Sequence, residues 1–196
     1  GLLDITLNHN DNYWLRLPVD PYILPEAYAS EEVATNEFFD RAQDKAILTV
    51  QKHSMLIKGE QRNNQIARAY LLLGKARYYN GKYLQAIEAF TYLVKNMAGD
   101  NLAIEAELWR SKSYSALGQH ERAARELINI AFSGTLNNEQ YAVSQAALAD
   151  ALLKEGKDSL ATEPLRKAFA TEKSAYKRGR YAYLLGQLYE DLNYAD

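Results

Sequence analysis

Histidine and cysteine are the residue types that most often carry metal or nucleophilic chemistry, and this chain has three histidines and no cysteine. His120 is followed by Glu121, which resembles the first half of the His-Glu-x-x-His helix of zinc proteases, but Ala124 stands where the second ligand would be. We therefore interpret His120 as a solvated turn residue. His53 lies near a predicted helix end, where a positive charge interacts favourably with the helix dipole. The sequence predicts no metal site.

The sequence lacks the motifs of other common enzyme classes. It has no phosphate-binding glycine loop and no Gly-x-Ser-x-Gly nucleophile turn, and no pair of carboxylates stands out from a solvated helix face. The absence of cysteine excludes disulfides, thiol catalysis and thiolate zinc sites. We predict that the protein is not an enzyme and binds no cofactor. The acidic residues interpreted as ordinary helical surface are Glu105, Glu107, Asp150 and Glu155.

Charge and hydropathy exclude two classes of partner. The 196 residues include 23 Lys plus Arg against 25 Asp plus Glu, a formal charge of −2. Nucleic acids and anionic membranes are bound through clustered basic residues, so we predict neither partner. The longest clear apolar run is residues 70–73, far short of the roughly 18 residues that span a bilayer. Because the chain starts at Gly1 without a leader, we expect a processed or excised piece of a longer protein.

The first part of the chain differs in composition from the rest. Three of the four prolines, Pro18, Pro21 and Pro25, lie there, and proline fixes φ and removes a hydrogen-bond donor. An extended, proline-rich arm is therefore predicted over residues 1–29. The arm is too apolar for a solvated linker, so we expect it to lie on the chain's own helices in preference to a partner. Its candidate contact residues are Tyr13, Trp14 and Tyr22.

From residue 30 onward the sequence predicts helices only. Good helix formers predominate, apolar residues recur at helical spacing, and no segment alternates as a strand does. Gly74, Gly81, Ala86 and Phe90 match the tetratricopeptide repeat of about 34 residues, in which two helices pack through small residues. The matching residues of three later units are Ser111, Tyr114, Gly118, Ala123 and Leu127, then Ala149, Leu152, Gly156, Ala161 and Leu165, and last Leu185, Gly186 and Tyr189.

These units predict the fold class and its boundaries. We expect an all-α fold, a right-handed superhelix of tetratricopeptide-like helix pairs with the extended arm at its N-terminus. Pro164 fits the second helix of its pair if it lies in the first turn, where backbone donors are unpaired anyway. The second helix of the last unit would begin after Asp196. The predicted ranges are a first helix over 31–57, repeats over about 67–103, 104–141 and 142–178, and a partial repeat over 179–196.

The first helices of stacked pairs line a concave face, where partner segments dock. Aromatic rings with interspersed Arg and Lys are typical of binding hot spots. We expect that replacing both Trp109 and Tyr79 with alanine weakens partner capture and leaves the fold largely intact. Counted from the small residue of each unit, the candidate partner-binding residues are Arg68, Leu71, Lys75, Tyr78, Tyr79, Leu108, Trp109, Lys112, Asp150, Lys154, Tyr183 and Gln187.

Two segments carry a resemblance to a known family. DKAILTVQKHSMLIKG, residues 44–59, and QIARAYLLLGKARYY, residues 65–79, resemble the tetratricopeptide lipoproteins of the type IX secretion and gliding-motility apparatus, the PorW/SprE type. The upstream NDNYWLRLPVDPY and the downstream RGRYAYLLGQLYEDL are also similar to that family, so the resemblance covers nearly the whole chain.

The resemblance implies a lipoprotein on the periplasmic face of the outer membrane. Its partners would be proteins of the secretion translocon and the envelope complex, and it implies no catalytic residues. The family is anchored through a lipidated cysteine, which this chain lacks, so the anchor is implied for the parent protein and not for these residues.

Two functions remain open from the sequence. The first is a scaffold that holds protein partners on the concave face, on the arm, or on both. The second is a nutrient-binding or glycan-binding outer-membrane lipoprotein, in which exposed aromatic rings stack on sugars. The long loop insertions that would form a sugar site are missing from this chain, which favours the scaffold.

Overall fold

The computed structural model of the chain describes residues 18–20, 37–54, 56–57, 60–61, 63, 65–96 and 101–192. These residues form helices throughout, apart from one hairpin with two residues in each strand, which confirms the predicted all-helical fold class. The helices are α1 (Glu37–His53), α2 (Gln65–Tyr79), α3 (Tyr83–Asn96), α4 (Asn101–Ala116), α5 (His120–Phe132), α6 (Asn138–Lys154), α7 (Asp158–Thr171) and α8 (Ala175–Asp191). The antiparallel hairpin pairs β1 (Leu56–Ile57) with β2 (Glu60–Gln61).

The chain divides into two compact units. The central unit, Val33–Thr135, contains α1 to α5 and the hairpin. The C-terminal unit, Leu136–Asp196 together with Gly1–Glu32, contains α6 to α8. Consecutive helices pack against one another within each unit. The pairs α2/α3, α4/α5 and α6/α7 are the helix pairs that the repeat pattern predicts.

The turn inside each helix pair depends on a glycine. Gly81, Gly118 and Gly156 all have positive φ, at 71°, 80° and 70°, a conformation in which a side chain would be strained. At the first turn the Gly81 N–H donates to the Tyr78 carbonyl and the Lys82 N–H donates to the Arg77 carbonyl. The same two hydrogen bonds recur at the other two turns, so each first helix ends in a Schellman motif.

The helices begin earlier than the predicted repeat boundaries. α2 starts at residue 65 against a predicted 67, α4 at 101 against 104, α6 at 138 against 142, and α8 at 175 against 179. Side-chain caps fix two of these starts. The Asn137 side chain accepts from the Gln140 N–H in a capping box before α6, and the Ser174 side chain accepts from the Lys177 N–H before α8.

The predicted first helix covers residues 31–57, of which 31–36 lie outside the described residues, and its C-terminal end comes earlier than predicted. α1 ends at His53, and residues 56–57 form β1 instead of continuing the helix. The last carbonyls of a helix have no partner within the helix. Here the Asn63 side-chain amide donates to the His53 carbonyl at 2.9 Å, which satisfies one of them from outside the helix and stabilises the end at this point.

The central unit has its first core layer between α1, α2 and α3. Ala46, Leu73 and Ala89 are each at most 4% exposed and pack together, one from each helix. Polar contacts hold α1 in the same place, since the Asp40 carboxylate accepts from the side chains of Asn80, at 2.7 Å, and Lys82, at 3.2 Å. α1 therefore packs on the first repeat as an additional helix.

Pro164 of the C-terminal unit departs from the sequence-based expectation. Pro164 lies in the second turn of α7, not in the first turn as predicted. A proline at this position cannot donate to the carbonyl of Leu160, so the helix loses one hydrogen bond. Pro164 is buried, and the apolar area of its ring offsets that loss. It neighbours Leu165, which is fully buried in the core of this unit.

Candidate protein-binding site

The helices α2 and α3 approach each other closely next to the site. A Cβ atom added at Gly74 would lie 2.3 Å from Cε1 of Phe90, which is shorter than any real contact of this kind. Only glycine therefore lets the Phe90 ring pack against the backbone of α2, and Phe90 is completely buried there. Its ring also stacks on Trp109 of α4, with centroids 6.4 Å apart. The first repeat thereby positions an aromatic residue of the second.

Trp109 lies at the centre of a group of rings. Tyr78 and Tyr79, at the end of α2, present their edges to it with centroids 5.3 and 5.6 Å away. Tyr79 also stacks on Phe39 of α1 at 5.4 Å. Aromatic pairs at these separations each contribute about 0.5–1.5 kcal/mol beyond the area that they bury. Three helices are thus joined through one aromatic group, and Trp109 and Tyr79 remain partly exposed.

Two lysines lie over the Trp109 ring. The Lys112 Nζ is 4.0 Å from the ring centroid and 5.3 Å from that of Tyr78, and the Lys75 Nζ is 5.2 Å from the Trp109 centroid. Ammonium groups are attracted to the electron-rich face of an indole at these distances. Lys75 also forms an ion pair with Glu105 at 2.5 Å. We define the Trp109 cluster as Lys75, Tyr78, Tyr79, Trp109 and Lys112.

The Trp109 cluster contains five of the twelve candidate concave-face residues, so the structure brings these five together. Arg68 is exposed on α2, two turns before Lys75. A group that combines rigid rings with ammonium donors can offer a protein partner both apolar area and charge-assisted hydrogen bonds. Partner contact by these residues remains a prediction.

Four of the candidate residues are buried, which corrects their placement on an open face. Leu71, Tyr78, Leu108 and Gln187 are 8%, 4%, 2% and 7% exposed. Counting positions along a repeat selects one helical face, but neighbouring helices cover part of that face. Leu71 and Leu108 are therefore packing residues, and Tyr78 supports the Trp109 ring from below the surface.

The other candidates lie in the C-terminal unit or in the arm. Lys154 pairs with Asp150 on the same helix at 2.8 Å, and both belong to α6. The Tyr183 hydroxyl accepts a hydrogen bond from the Gln187 side chain at 3.2 Å on α8. These residues belong to the C-terminal unit and form no part of the Trp109 cluster. The three arm residues Tyr13, Trp14 and Tyr22 lie outside the described residues.

Two residues that sequence reasoning missed have clear roles. Glu105, interpreted as plain surface, is the ion-pair partner of Lys75 across α2 and α4. Arg180 of α8 is 8% exposed and binds the Pro18 carbonyl. Arg180 lies six residues before Gly186, as Arg68 lies six residues before Gly74. The count that selected Arg68 would also have selected Arg180.

Two of the three histidines lie among the described residues, and both stand at helix ends. His53 is the last residue of α1, and His120 is the first residue of α5. The His120 Nδ1 lies 3.1 Å from the Ser115 hydroxyl, a contact across the turn between α4 and α5. Within the described ranges, no three His, Asp or Glu side chains form a group that could hold a metal ion. The same ranges contain no helix that could span a bilayer.

Comparison with known structures supports the same fold. Two crystal structures of a kinesin light chain-like protein from Podosopora anserina, described as having nearly identical TPR-like repeats, are similar to this chain. A variant with one substitution gives a TM-score of 0.57 and the other structure 0.56; in both the identity is 18%, over 81% of this chain and 85% of that chain. The chain therefore has a tetratricopeptide-like, all-helical repeat fold. No family model and no curated protein sequence matches it.

Proposed function

We propose that this chain is a non-enzymatic protein–protein interaction scaffold, a part of an outer-membrane lipoprotein that type IX protein secretion and gliding motility require. In this proposal it links the outer-membrane translocon to other envelope proteins from the periplasmic side. The observation that carries the scaffold function is the partly exposed Trp109 cluster on first helices of a tetratricopeptide-like fold. Such folds commonly bind proteins on the extended surface of their stacked repeats.

The finer assignment to type IX secretion is supported by the resemblance of residues 44–59, 65–79 and 178–192 to the PorW/SprE type. Of the segments that carry the resemblance, residues 65–79 are α2 and contribute three members of the Trp109 cluster. The mixed charge also suits protein partners, since Lys75 pairs with Glu105 and the Lys112 ammonium lies over the Trp109 ring beside them.

Glycan binding at Trp109 finds no support in the geometry. A sugar stacks on an open face of an aromatic ring, but the Lys112 ammonium lies 4.0 Å from the centroid of this indole. Phe90 also stacks on the indole, with an interplanar angle of 25°. Because these contacts engage the ring, Trp109 acts as a rigid support for the lysines and tyrosines around it.

Replacing Lys112 with glutamine tests this site without removing a ring. We expect Lys112→Gln to reduce capture of translocon components in cross-linked envelopes of the source organism at least about tenfold, equivalent to about 1.4 kcal/mol. The reason is the loss of a charge-assisted contact to the partner, while the aromatic packing of Trp109 stays. Affinity purification of the tagged parent protein with quantitative mass spectrometry measures the capture.

Lys167→Gln is the matched control. Lys167 is exposed on α7, a second helix, and belongs to the C-terminal unit. It removes the same charge at a position that the proposed surface does not use. Equal capture by both variants would place the partner contact outside the Trp109 cluster. If the wild-type protein recovers no translocon component, the secretion role is contradicted.

A further inference from the structure

A short segment of the N-terminal region packs against the C-terminal unit. Val19 is 4% exposed and belongs to the core cluster that Ala146, Leu165, Tyr181 and other residues of α6, α7 and α8 complete. The Arg180 Nε donates a hydrogen bond to the Pro18 carbonyl at 2.8 Å, across 162 residues of sequence. This agrees with the expectation that the arm packs on the chain's own helices. We call residues 18–20, Pro-Val-Asp, the strap.

The strap contacts α8 at a position that is equivalent to a groove position of the first repeat. Gly186 is the small residue of the fourth unit, and Arg180 precedes it by the same six residues by which Arg68 precedes Gly74. Arg68 is exposed on α2, whereas Arg180 is covered. The first helices of stacked pairs present these positions to partner segments. The strap, which bends at Val19 and Asp20, is therefore a non-helical segment bound where a partner's segment is expected to bind.

The chemistry at Arg180 suits a backbone carbonyl group of a bound segment. A guanidinium offers five N–H donors in a planar arrangement that suits carbonyl and carboxylate oxygens. One donor binds the Pro18 carbonyl, and the buried Nη2 has no hydrogen-bond partner among the described residues. Burial lowers the pKa of the Arg180 guanidinium, while the Tyr176 hydroxyl and the charge of Asp20 act in the opposite direction. The site thus combines a carbonyl contact, an apolar position for Val19 and a favourable place for a carboxylate.

The helices of the C-terminal unit supply nearly all of its core without the strap. Every other member of the cluster around Val19 lies on α6, α7 or α8. Ala149, Ala161, Leu165 and Ala168 are completely buried between those helices. Local release of the strap therefore leaves a helical core that is still packed, and it would expose Arg180 on α8.

We propose that Arg180 and its surroundings on α8 form a binding site for non-helical, proline-containing segments in which a β-branched apolar residue precedes a carboxylate. The strap is the intramolecular ligand of this site and competes with such a segment of a partner protein. The site lies in the C-terminal unit, and the proposal does not depend on the Trp109 cluster.

The absence of cysteine makes a thiol-protection experiment direct. Val19→Cys places one thiol on the buried side chain position of the strap itself, and Ala168→Cys places one in the helical core of the same unit as a control. The probe is a synthetic peptide with the sequence of residues 15–22, LRLPVDPY, added to the full chain. We expect the peptide to accelerate maleimide labelling of the Val19→Cys thiol at least tenfold, with a rate that saturates as the peptide concentration rises. The Ala168→Cys thiol should stay protected, and a peptide of shuffled sequence should have no effect.

Arg180→Gln in the Val19→Cys background gives the second measurement. We expect faster labelling without peptide and no further acceleration by it, with unchanged circular dichroism. Parallel labelling of the Ala168→Cys thiol would overturn the proposal, because the strap would then be released only by unfolding. A peptide without effect on the Val19→Cys thiol in the presence of native Arg180 would overturn it as well. A dimer that the peptide dissociates would overturn the assignment of the strap to its own chain.

Discussion

Gly74→Ala is expected to lower the free energy of unfolding by about 1–2 kcal/mol. A Cβ at this position would lie 2.3 to 2.7 Å from three carbons of the Phe90 ring, and this ring is completely buried and stacked on Trp109. The ring therefore moves only if the helix pair opens, and overpacking of a core costs about 1–3 kcal/mol. The higher helix propensity of alanine offsets up to about 1 kcal/mol of this loss in unfolding free energy. Urea denaturation followed by circular dichroism measures the difference.

Gly186→Ala is the matched control, because Gly186 occupies the same repeat position in the fourth unit. A Cβ there meets no atom within 4 Å, and its φ is not positive. The substitution should raise the free energy of unfolding by about 0.5–1 kcal/mol through helix propensity alone. The opposite signs of the two changes are the distinctive result. If Gly74→Ala also stabilised the protein, the close contact between α2 and Phe90 would not exist in solution.

Trp109→Ala is expected to have the largest effect of any single truncation in the Trp109 cluster, a loss of about 2–3 kcal/mol of unfolding free energy. The indole contacts Phe90 of the first repeat, both tyrosines at the end of α2, and the two lysines. Large-to-small changes of fully buried aromatic residues cost about 3–5 kcal/mol, and Trp109 is only partly buried. Urea denaturation again gives the value.

Phe132→Ala provides the comparison within the same unit. Phe132 is the last residue of α5 and is 86% exposed, so its truncation should change stability by less than about 0.5 kcal/mol. A cost for Trp109→Ala no larger than this would mean that the ring contacts do not stabilise the unit. The expected cost also revises the sequence-based view that alanine at Trp109 and Tyr79 leaves the fold largely intact, and it is why the binding test uses Lys112→Gln.

The features that the sequence could predict are local ones. Gly81, Gly118 and Gly156 were selected by spacing alone, and each has the positive φ that ends a first helix. The repeat pattern also selects Gly74 and Phe90, and the two residues are in contact. These predictions succeed because each feature restricts the residue type at a single position. A positive φ disfavours any residue with a side chain, and a close helix contact leaves no room for a Cβ.

The features that the sequence could not predict depend on distant parts of the chain. Position counting placed Leu71 and Leu108 on an open face, but burial depends on the neighbouring helices that cover them. Arg180 and Pro18 are 162 residues apart, and no local pattern connects them. The missing N–H of Pro164 favours a place in the first turn of its helix. In the structure Pro164 is buried in the second turn, where burial of its ring offsets the lost hydrogen bond.

Secretion of type IX cargo by cells whose parent protein lacks residues 30–196 is the most direct measurement of the proposed function. Immunoblotting confirms that the shortened parent protein accumulates to the normal level, and re-expression of the complete protein is the control. If the repeat domain links the translocon to its envelope partners, cargo should accumulate in the periplasm and reappear outside the cell on re-expression. Undiminished secretion by cells that lack the segment would contradict the proposed function.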